Sequence, residues 1–184
     1  MYGIFFGMLK LPGTIKMIVT DFDGVLTDNF VYINENSFST RRLNYKDITG
    51  CFLLKHNGFN ISIISGEKNP AIDWISSTFD LKDVYQRINV KLPVLKLILN
   101  KYGLSQEEYL YIGDDINDID CLKYAKYKIT VPNAVKQVKS LPGIQITTQN
   151  GGEGAIRELA ETLCKEKNFV ELIDEVADCP VNIL

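Results

Sequence analysis

The sequence has few features of a nucleic-acid-binding, membrane-bound or disulfide-stabilised protein. Its 184 residues include 20 Lys and Arg and 23 Asp and Glu, for a net charge of -3, without a long basic run. This balance argues against a nucleic-acid surface or a polybasic membrane patch, so an anionic ligand must be bound by a few placed cations or a metal. Four scattered cysteines and a single histidine indicate neither a zinc site nor a disulfide framework. We expect a reducing, cytoplasmic setting.

Long apolar runs are also absent. Residues 1–11 are apolar, but they are too short to cross a bilayer and lack the basic start and cleavage site of a secretory signal. We interpret residues 1–16 as an N-terminal extension that packs on the domain or on a partner, or as sequence upstream of a start at Met17. One globular domain is expected at 17–167, followed by a tail at 168–184.

Short apolar segments alternate with helical patterns along the domain. The strands are predicted at 17–20, 61–64, 84–85, 109–112 and 128–131, several of them apolar on both faces as in buried parallel sheets. The helices are predicted at 48–57 behind Asp47 as N-cap, 70–78, 92–102, 117–124 and 155–165. This order predicts an α/β fold with a doubly wound parallel sheet. Strand-like segments at 30–33 and 41–45, around a polar turn at 34–37, predict a β-hairpin inserted after the first strand.

Two carboxylates follow the first strand. Asp21 and Asp23 lie at the carboxyl end of the segment 17–20, and this edge of an open α/β sheet is where ligands bind. Strand geometry points both side chains the same way, while Gly24 allows the backbone to turn. One carboxylate can then attack while the other transfers a proton. An isolated Asp-x-Asp is common, and the alternative interpretation is a helix cap or a solvated turn.

A second acidic cluster follows the strand at 109–112. Asp114, Asp115 and Asp118 lie within five residues, together with Asn117. Such carboxylates repel one another unless a cation lies among them, and Mg²⁺ is suited to an all-oxygen site. A calcium loop or an acidic helix start is the alternative, but the ligand spacing of a calcium loop is missing.

Ser65, Gly66 and Lys91 extend the pattern to two further strands. Ser65 and Gly66 end the strand at 61–64 and offer a hydroxyl and backbone N–H groups to phosphate oxygens. Lys91 begins a helix, from which its ammonium can reach a phosphoryl group. Each feature alone is ordinary, a Ser-Gly turn and a surface lysine. Because each stands at the carboxyl end of a strand, their order favours one site for phosphoryl transfer.

The segments at 21–27 (DFDGVLT), 65–66 (SG), 91 (K) and 113–118 (GDDIND) resemble the four motifs of the haloacid dehalogenase superfamily of phosphotransferases. The resemblance covers residues 17–157. It implies that Asp21 is the nucleophile and Asp23 the general acid and base, with Ser65, Gly66 and Lys91 binding the phosphoryl group. It also implies a magnesium ion held by Asp21, Asp114 and the backbone carbonyl of Asp23, with support from Asp115, Asn117 and Asp118.

The spacing of these motifs indicates the branch of the superfamily. Only 43 residues separate Asp21 from Ser65, and 25 separate Ser65 from Lys91, so neither interval can hold a large cap domain. The hairpin and the segment 151–158 (GGEGAIRE) are similar to the phosphatases of 3-deoxy-manno-octulosonate 8-phosphate. That similarity implies a small anionic sugar-phosphate substrate and a homotetramer assembled through the hairpins, in which the glycine-rich tail covers a neighbour's site.

Further similarity bears on the substrate. The segment 44–50 (NYKDITG) implies that Asn44, Lys46 and Asp47 lie near the substrate, although Ile48 stands where that family usually has glycine. Glu67, followed by Lys68, replaces an arginine typical of the octulosonate phosphatases and resembles the phosphatases of nine-carbon acids such as sialic acid, carried as 9-phosphates. An exposed carboxylate at a helix start is the alternative for Glu67. The sequence therefore leaves eight-carbon and nine-carbon substrates open.

Two hypotheses of other classes compete with an enzyme. Similar domains are fused to sialic-acid-activating enzymes, the acylneuraminate cytidylyltransferases, where they can serve oligomerisation, so a non-catalytic assembly module is one alternative. A receiver domain that stores phosphate on aspartate has a comparable sheet, but its acceptor ends the third strand, whereas Asp21 ends the first. The complete set of motif residues favours catalysis.

Overall fold

The computed structural model describes residues 9–35 and 39–164, and in this part the chain forms a parallel sheet with helices around it. Six strands make the sheet in the order β5-β4-β1-β6-β7-β8, and every neighbouring pair is parallel. They are β1 (Met17–Thr20), β4 (Asn60–Ile64), β5 (Asp83–Tyr85), β6 (Tyr109–Ile112), β7 (Tyr127–Thr130) and β8 (Gln145–Ile146). The doubly wound α/β architecture predicted from the sequence is confirmed.

Helices follow most of the strands. They are α1 (Tyr45–His56), α2 (Pro70–Thr78), α3 (Lys91–Tyr102), α4 (Ile119–Tyr124) after a 3-10 turn at Ile116–Asp118, α5 (Lys136–Lys139) and α6 (Ala155–Leu163). Local sequence explains their ends. Asn69 caps α2 by accepting hydrogen bonds from the N–H groups of Ala71 and Ile72, with Pro70 in the first turn. Gly103 ends α3 in the left-handed conformation, with φ of 62°.

The core lies on both faces of the two central strands. Every residue of β1 and β6 is buried, as the evenly apolar runs predicted. Leu9 and Ile15 are also buried within this core, so the described part of the N-terminal extension packs on the domain. None of the helices within the described ranges is long and apolar enough to span a membrane.

A small hairpin is the only strand insertion between β1 and β4 in the described residues, and no large cap is present there. Its strands, β2 (Tyr32–Ile33) and β3 (Ser39–Thr40), pair antiparallel and are exposed. The hairpin is thus confirmed, but the prediction of a strand at 41–45 was wrong. Within that segment only Leu43 pairs, in an isolated bridge to Thr27, and the helix then begins at Tyr45.

Other boundaries also differ from the predictions. Asn44 rather than Asp47 caps α1, since the Asn44 backbone is extended and its side chain accepts from the Lys46 N–H. β8 and α5 were not predicted, because both are short and lack a periodic apolar pattern. Residues 36–37 of the predicted turn, residue 165 of the last predicted helix and the tail at 168–184 lie outside the described residues.

Candidate active site

The predicted phosphoryl-transfer residues meet at the carboxyl ends of β1, β4 and β6. A cleft of about 190 Å³ opens there, and we call it the active-site cleft. It is lined by Asp21, Asp23, Asn29, Ser65, Gly66, Glu67, Asn89, Asp114, Asp115 and Asn117. Most of these residues were predicted, and Asn29 and Asn89 were not. Both asparagines stand in loops that carry no motif of their own.

Lys91 forms the electrostatic centre of the site. Its Nζ lies 2.8 Å from Oδ2 of Asp21 and 2.8 Å from Oδ1 of Asp118. The side chain is buried at the start of α3. Burial lowers the pKa of Lys91, but the charges of Asp21 and Asp118 outweigh it, so the net effect is a raised pKa. The lysine is therefore an ammonium held between two carboxylates, and not the surface lysine of the alternative interpretation.

Asp118 supports the acidic cluster through the hydrogen bonds that both of its carboxylate oxygens accept. Its Oδ1 accepts a hydrogen bond from the Tyr111 hydroxyl at 2.7 Å as well as from Lys91. Its Oδ2 accepts from the backbone N–H groups of Asp114 and Asp115, at 3.1 and 3.2 Å. A Cβ on Gly113 would lie 2.3 Å from Cγ of Asp118, so this packing requires glycine. Because both Asp118 oxygens are occupied, the residue supports the site more than it offers a free ligand.

The carboxylates of Asp21, Asp114 and Asp118 are arranged as a cation site would require. One oxygen from each lies within 4.8 Å of the others, and all three residues are buried. Oδ1 of Asp114 is buried without a hydrogen-bond partner in the described part of the chain. Burial, followed by the charges of Asp118 and Asp115, raises the pKa of Asp114 to about 7. Burial and then Asp118 also raise the pKa of Asp21, against the pull of Lys91.

These observations fit a hard divalent cation. A metal would satisfy the orphaned oxygen and favour the ionised form of both carboxylates. Since Asp118 is fully engaged, Asp21 and Asp114 are the side chains most available to it. The sequence-based ligand set also included the backbone carbonyl of Asp23, which belongs to a residue that lines the same cleft.

Asp23 is held by a residue that the sequence did not reveal. Its Oδ1 accepts from Nε of Arg41 at 2.7 Å and from the Thr27 hydroxyl at 3.2 Å. Its Oδ2 is buried and has no partner among residues 9–35 and 39–164. Arg41 follows the hairpin strand β3, in a segment predicted to be a strand. An arginine in a segment without a motif gives no sequence signal of such a contact.

Ser65 and the residues after it form the opposite wall of the cleft. Ser65 is buried, and its hydroxyl accepts from the Glu67 N–H at 3.2 Å. Its backbone N–H donates to the Tyr85 carbonyl at 2.8 Å, which ties this turn to β5. Glu67 is exposed and lines the cleft, whereas Lys68 is exposed and lies outside that lining.

The structure does not bring Asn44, Lys46 and Asp47 into the active-site cleft. Asn44 caps α1 and donates from Nδ2 to the Gly152 carbonyl at 3.2 Å. Lys46 lines a separate groove of about 420 Å³ beside α6. Asp47 is buried, and its carboxylate accepts from the N–H groups of Gly154, Ile156 and Arg157 at 2.9, 2.8 and 3.3 Å. Burial raises the pKa of Asp47 to about 6.

Asp47 thus caps α6 across the fold. Gly154 precedes that helix and has no side chain with which to cap it, so the orphan N–H groups of the first turn are satisfied from α1. The adjoining glycines pack on the loop after β1 of the same chain. The Gly152 N–H donates to the Val25 carbonyl at 2.8 Å, and a Cβ on Gly151 would lie 1.7 Å from the Gly24 carbonyl oxygen.

Comparisons with known proteins found relatives in sequence and in structure. A family profile described as haloacid dehalogenase-like hydrolase matches residues 26–159. The 3-deoxy-D-manno-octulosonate 8-phosphate phosphatase KdsC of Escherichia coli (strain K12) is 27% identical over 150 residues, covering 81% of this chain and 79% of that protein.

Solved structures show the same fold. The 3-deoxy-D-manno-octulosonate 8-phosphate phosphatase of Moraxella catarrhalis, crystallised with a magnesium ion, a phosphate ion and KDO, superposes with a TM-score of 0.80. It is 29% identical, covering 90% of this chain and 95% of that one. A cobalt-bound deoxy-D-mannose-octulosonate 8-phosphate phosphatase of Haemophilus influenzae gives a TM-score of 0.77 at 24% identity, covering 83% of this chain and 89% of that one, and it supports the fold.

Proposed function

This chain belongs to the haloacid dehalogenase-like hydrolase family and is a phosphatase, and we propose that it hydrolyses the phosphate ester of a 3-deoxy-ulosonic acid through a covalent aspartyl-phosphate at Asp21. The observation that carries the proposal is the contact of Asp21 with the buried ammonium of Lys91 at the carboxyl edge of the sheet, 2.8 Å between Oδ2 and Nζ. A carboxylate nucleophile divides the hydrolysis into two easier steps.

In the first step, a carboxylate oxygen of Asp21 attacks phosphorus while the bond from phosphorus to the sugar oxygen breaks. Asp23 donates a proton to the departing oxygen, so the sugar leaves as an alcohol. In the second step, water attacks the aspartyl-phosphate, Asp23 takes a proton from that water, and inorganic phosphate and the Asp21 carboxylate are regenerated. The unpaired Oδ2 of Asp23, in the described part of the chain, is the atom suited to this exchange.

The remaining residues stabilise charge on the transferring group. Lys91 and Ser65, with the backbone at Gly66, are proposed to bind the phosphoryl oxygens, because phosphoryl transfer depends mainly on positioning and charge stabilisation. Asp21, Asp114 and the carbonyl of Asp23 would hold Mg²⁺, which supplies positive charge to the phosphoryl oxygens when bound. Asp115, Asn117 and Asp118 would support these groups.

The eight-carbon substrate, 3-deoxy-D-manno-octulosonate 8-phosphate, is favoured because relatives named for it match most of this chain. Glu67, an acidic side chain on the cleft wall, favours the alternative of a nonulosonate 9-phosphate. A non-catalytic oligomerisation domain is the third candidate, but the complete acidic cluster argues against it. We also propose a cytoplasmic homotetramer, in which the exposed hairpin residues Phe30, Tyr32 and Ile33 would be covered by neighbouring subunits.

Release of inorganic phosphate tests this function. Wild-type protein would be assayed with Mg²⁺ on both substrates, beside Asp21→Asn and the control Asp120→Asn, which alters an exposed carboxylate on α4. We expect phosphate release by wild type and by the control and none by Asp21→Asn. The substrate that is hydrolysed faster shows whether the sugar acid has eight or nine carbons. If wild type and Asp21→Asn are equally inactive on both substrates, the substrate assignment is wrong and the oligomerisation hypothesis takes its place.

A further inference from the structure

We propose that Arg41, supplied by the segment after the hairpin, positions Asp23 for proton transfer. The two side chains form an ion pair with 2.7 Å between Nε of Arg41 and Oδ1 of Asp23. Their side chains are only 7% and 19% exposed, so water screens the pair weakly. The inference rests on the proposed function, since it assigns a role within the same reaction.

The contact fixes which oxygen of Asp23 is available. Oδ1 is occupied by Arg41 and by the Thr27 hydroxyl, whereas Oδ2 has no partner among the described residues. Asp23 also lines the active-site cleft. With one oxygen held, the carboxylate cannot rotate freely, and Oδ2 remains as the atom that exchanges the proton. Arg41 itself does not line the cleft, so its effect on the reaction passes through Asp23.

The neighbouring arginine provides a matched control. Arg42 lies on the same backbone segment and also forms an ion pair, with 2.8 Å between its Nε and Oδ2 of Asp28. Its side chain is 57% exposed, and neither partner lines the active-site cleft. Replacing Arg42 therefore removes an arginine and an ion pair from this segment without touching Asp23.

The chemistry distinguishes a positioning role from a structural one. A sugar alkoxide is a poor leaving group and needs the proton from Asp23, whereas nitrophenolate leaves without it. If Asp23 is misplaced, the rate of aspartyl-phosphate formation should therefore fall with a sugar phosphate and be nearly normal with p-nitrophenyl phosphate. Hydrolysis of the aspartyl-phosphate needs Asp23 as base with either substrate. A variant with a misplaced Asp23 should then release a burst of nitrophenol before slow turnover.

The test compares wild type, Arg41→Ala, Arg41→Lys and Arg42→Ala, each with Mg²⁺, on 3-deoxy-D-manno-octulosonate 8-phosphate, a nonulosonate 9-phosphate and p-nitrophenyl phosphate. For the sugar phosphate that wild type hydrolyses faster, Arg41→Ala should lower kcat on the order of 100-fold while KM changes little. Arg41→Lys should recover part of the loss, because its ammonium can contact the same oxygen. Arg42→Ala should match wild type. Circular dichroism verifies folding, and Arg41→Gln replaces Arg41→Ala if the latter does not fold.

Several results would overturn the inference. An equal loss on the sugar phosphate and on p-nitrophenyl phosphate without a burst would mean that Arg41 supports the fold instead of proton transfer. A raised KM with unchanged kcat would mean that it contacts the substrate. Active wild type with an unaffected Arg41→Ala would remove this inference alone. Wild type that is inactive on all three substrates would remove the proposed function and this inference with it.

Discussion

A Cβ atom added to Gly24 would lie 2.0 Å from Oδ2 of Asp114. The loop after β1 therefore reaches the acidic cluster after β6 so closely that only glycine fits. The backbone of Gly24 is also left-handed, with φ of 88°, which L side chains rarely adopt. Close packing of these two segments brings the carboxylates of the cleft together.

Gly24→Ala should displace Asp114 and weaken the proposed cation site. We expect a loss of about 100-fold or more in phosphatase activity and weaker Mg²⁺ binding in titration calorimetry, because misplaced ligands cost affinity and rate. Gly58→Ala is the control, since Gly58 is also left-handed, with φ of 82°, but has no atom within 4 Å of an added Cβ among the described residues. Equal effects of the two substitutions would attribute the loss to backbone strain.

Lys91→Met should destabilise the folded chain strongly when no divalent cation is present. The substitution leaves Asp21 and Asp118 buried without the ammonium between them, and breaking such a pair typically costs about 3–5 kcal/mol. Chemical denaturation in EDTA measures this difference in the free energy of unfolding. Lys16→Met, which removes an exposed ion pair to Glu108, should have a far smaller effect. Similar losses in the two variants would contradict the central place of Lys91.

Mg²⁺ should stabilise wild type but not Asp114→Asn. A ligand that binds only the folded state adds about 2.7 kcal/mol at a hundredfold excess over its Kd, and this raises Tm. Asp114 carries a buried oxygen without a partner in the described part of the chain, so it should dominate the effect. Thermal melting with Mg²⁺ and with EDTA provides the measurement, beside Asp120→Asn. An unchanged Tm in wild type would mean that the folded chain does not bind Mg²⁺, and an equal rise in Asp114→Asn would place the cation elsewhere.

Asp47 should make stability depend on pH between about 4 and 6. Burial raises its pKa to about 6 in the folded chain, against about 3.9 in an unfolded one. The folded state therefore keeps the proton to higher pH, and the free energy of unfolding falls as pH rises through this window. Asp47→Asn removes the titration, so wild type should lose about 1–3 kcal/mol relative to the variant between pH 4 and pH 6. Denaturation curves across this range test it, and parallel curves would contradict it.

The sequence predicted the elements whose local signals are strong. β1 and β6 match their apolar runs residue for residue, and α2 spans the predicted range 70–78 with Pro70 in its first turn. The start of α1 was missed because Asn44 and Asp47 are both good caps, and Asp47 finds its partners 107 to 110 residues away. No local pattern indicates such a contact.

The same distinction holds at the site. Asp21, Ser65 and Asp114 were predicted to meet because parallel strands end at one edge of the sheet. Arg41 contacts Asp23 because of the path of the chain after the hairpin. Asp47, predicted to lie near the substrate, instead caps α6 because α1 packs against α6. The motifs therefore predicted most of the residues that meet at the cleft, while tertiary packing determined the residues that hold them.

Chemical trapping of the proposed intermediate tests the central claim most directly. Wild-type protein would be mixed with the sugar phosphate and Mg²⁺, quenched during turnover with borohydride, which reduces an aspartyl-phosphate to homoserine, and analysed by peptide mass spectrometry. The account predicts homoserine at position 21 when substrate and Mg²⁺ are both present. It predicts none in wild-type protein incubated without substrate. Reduction at another residue, or none while phosphate is being released, would contradict the assignment of Asp21 as the nucleophile.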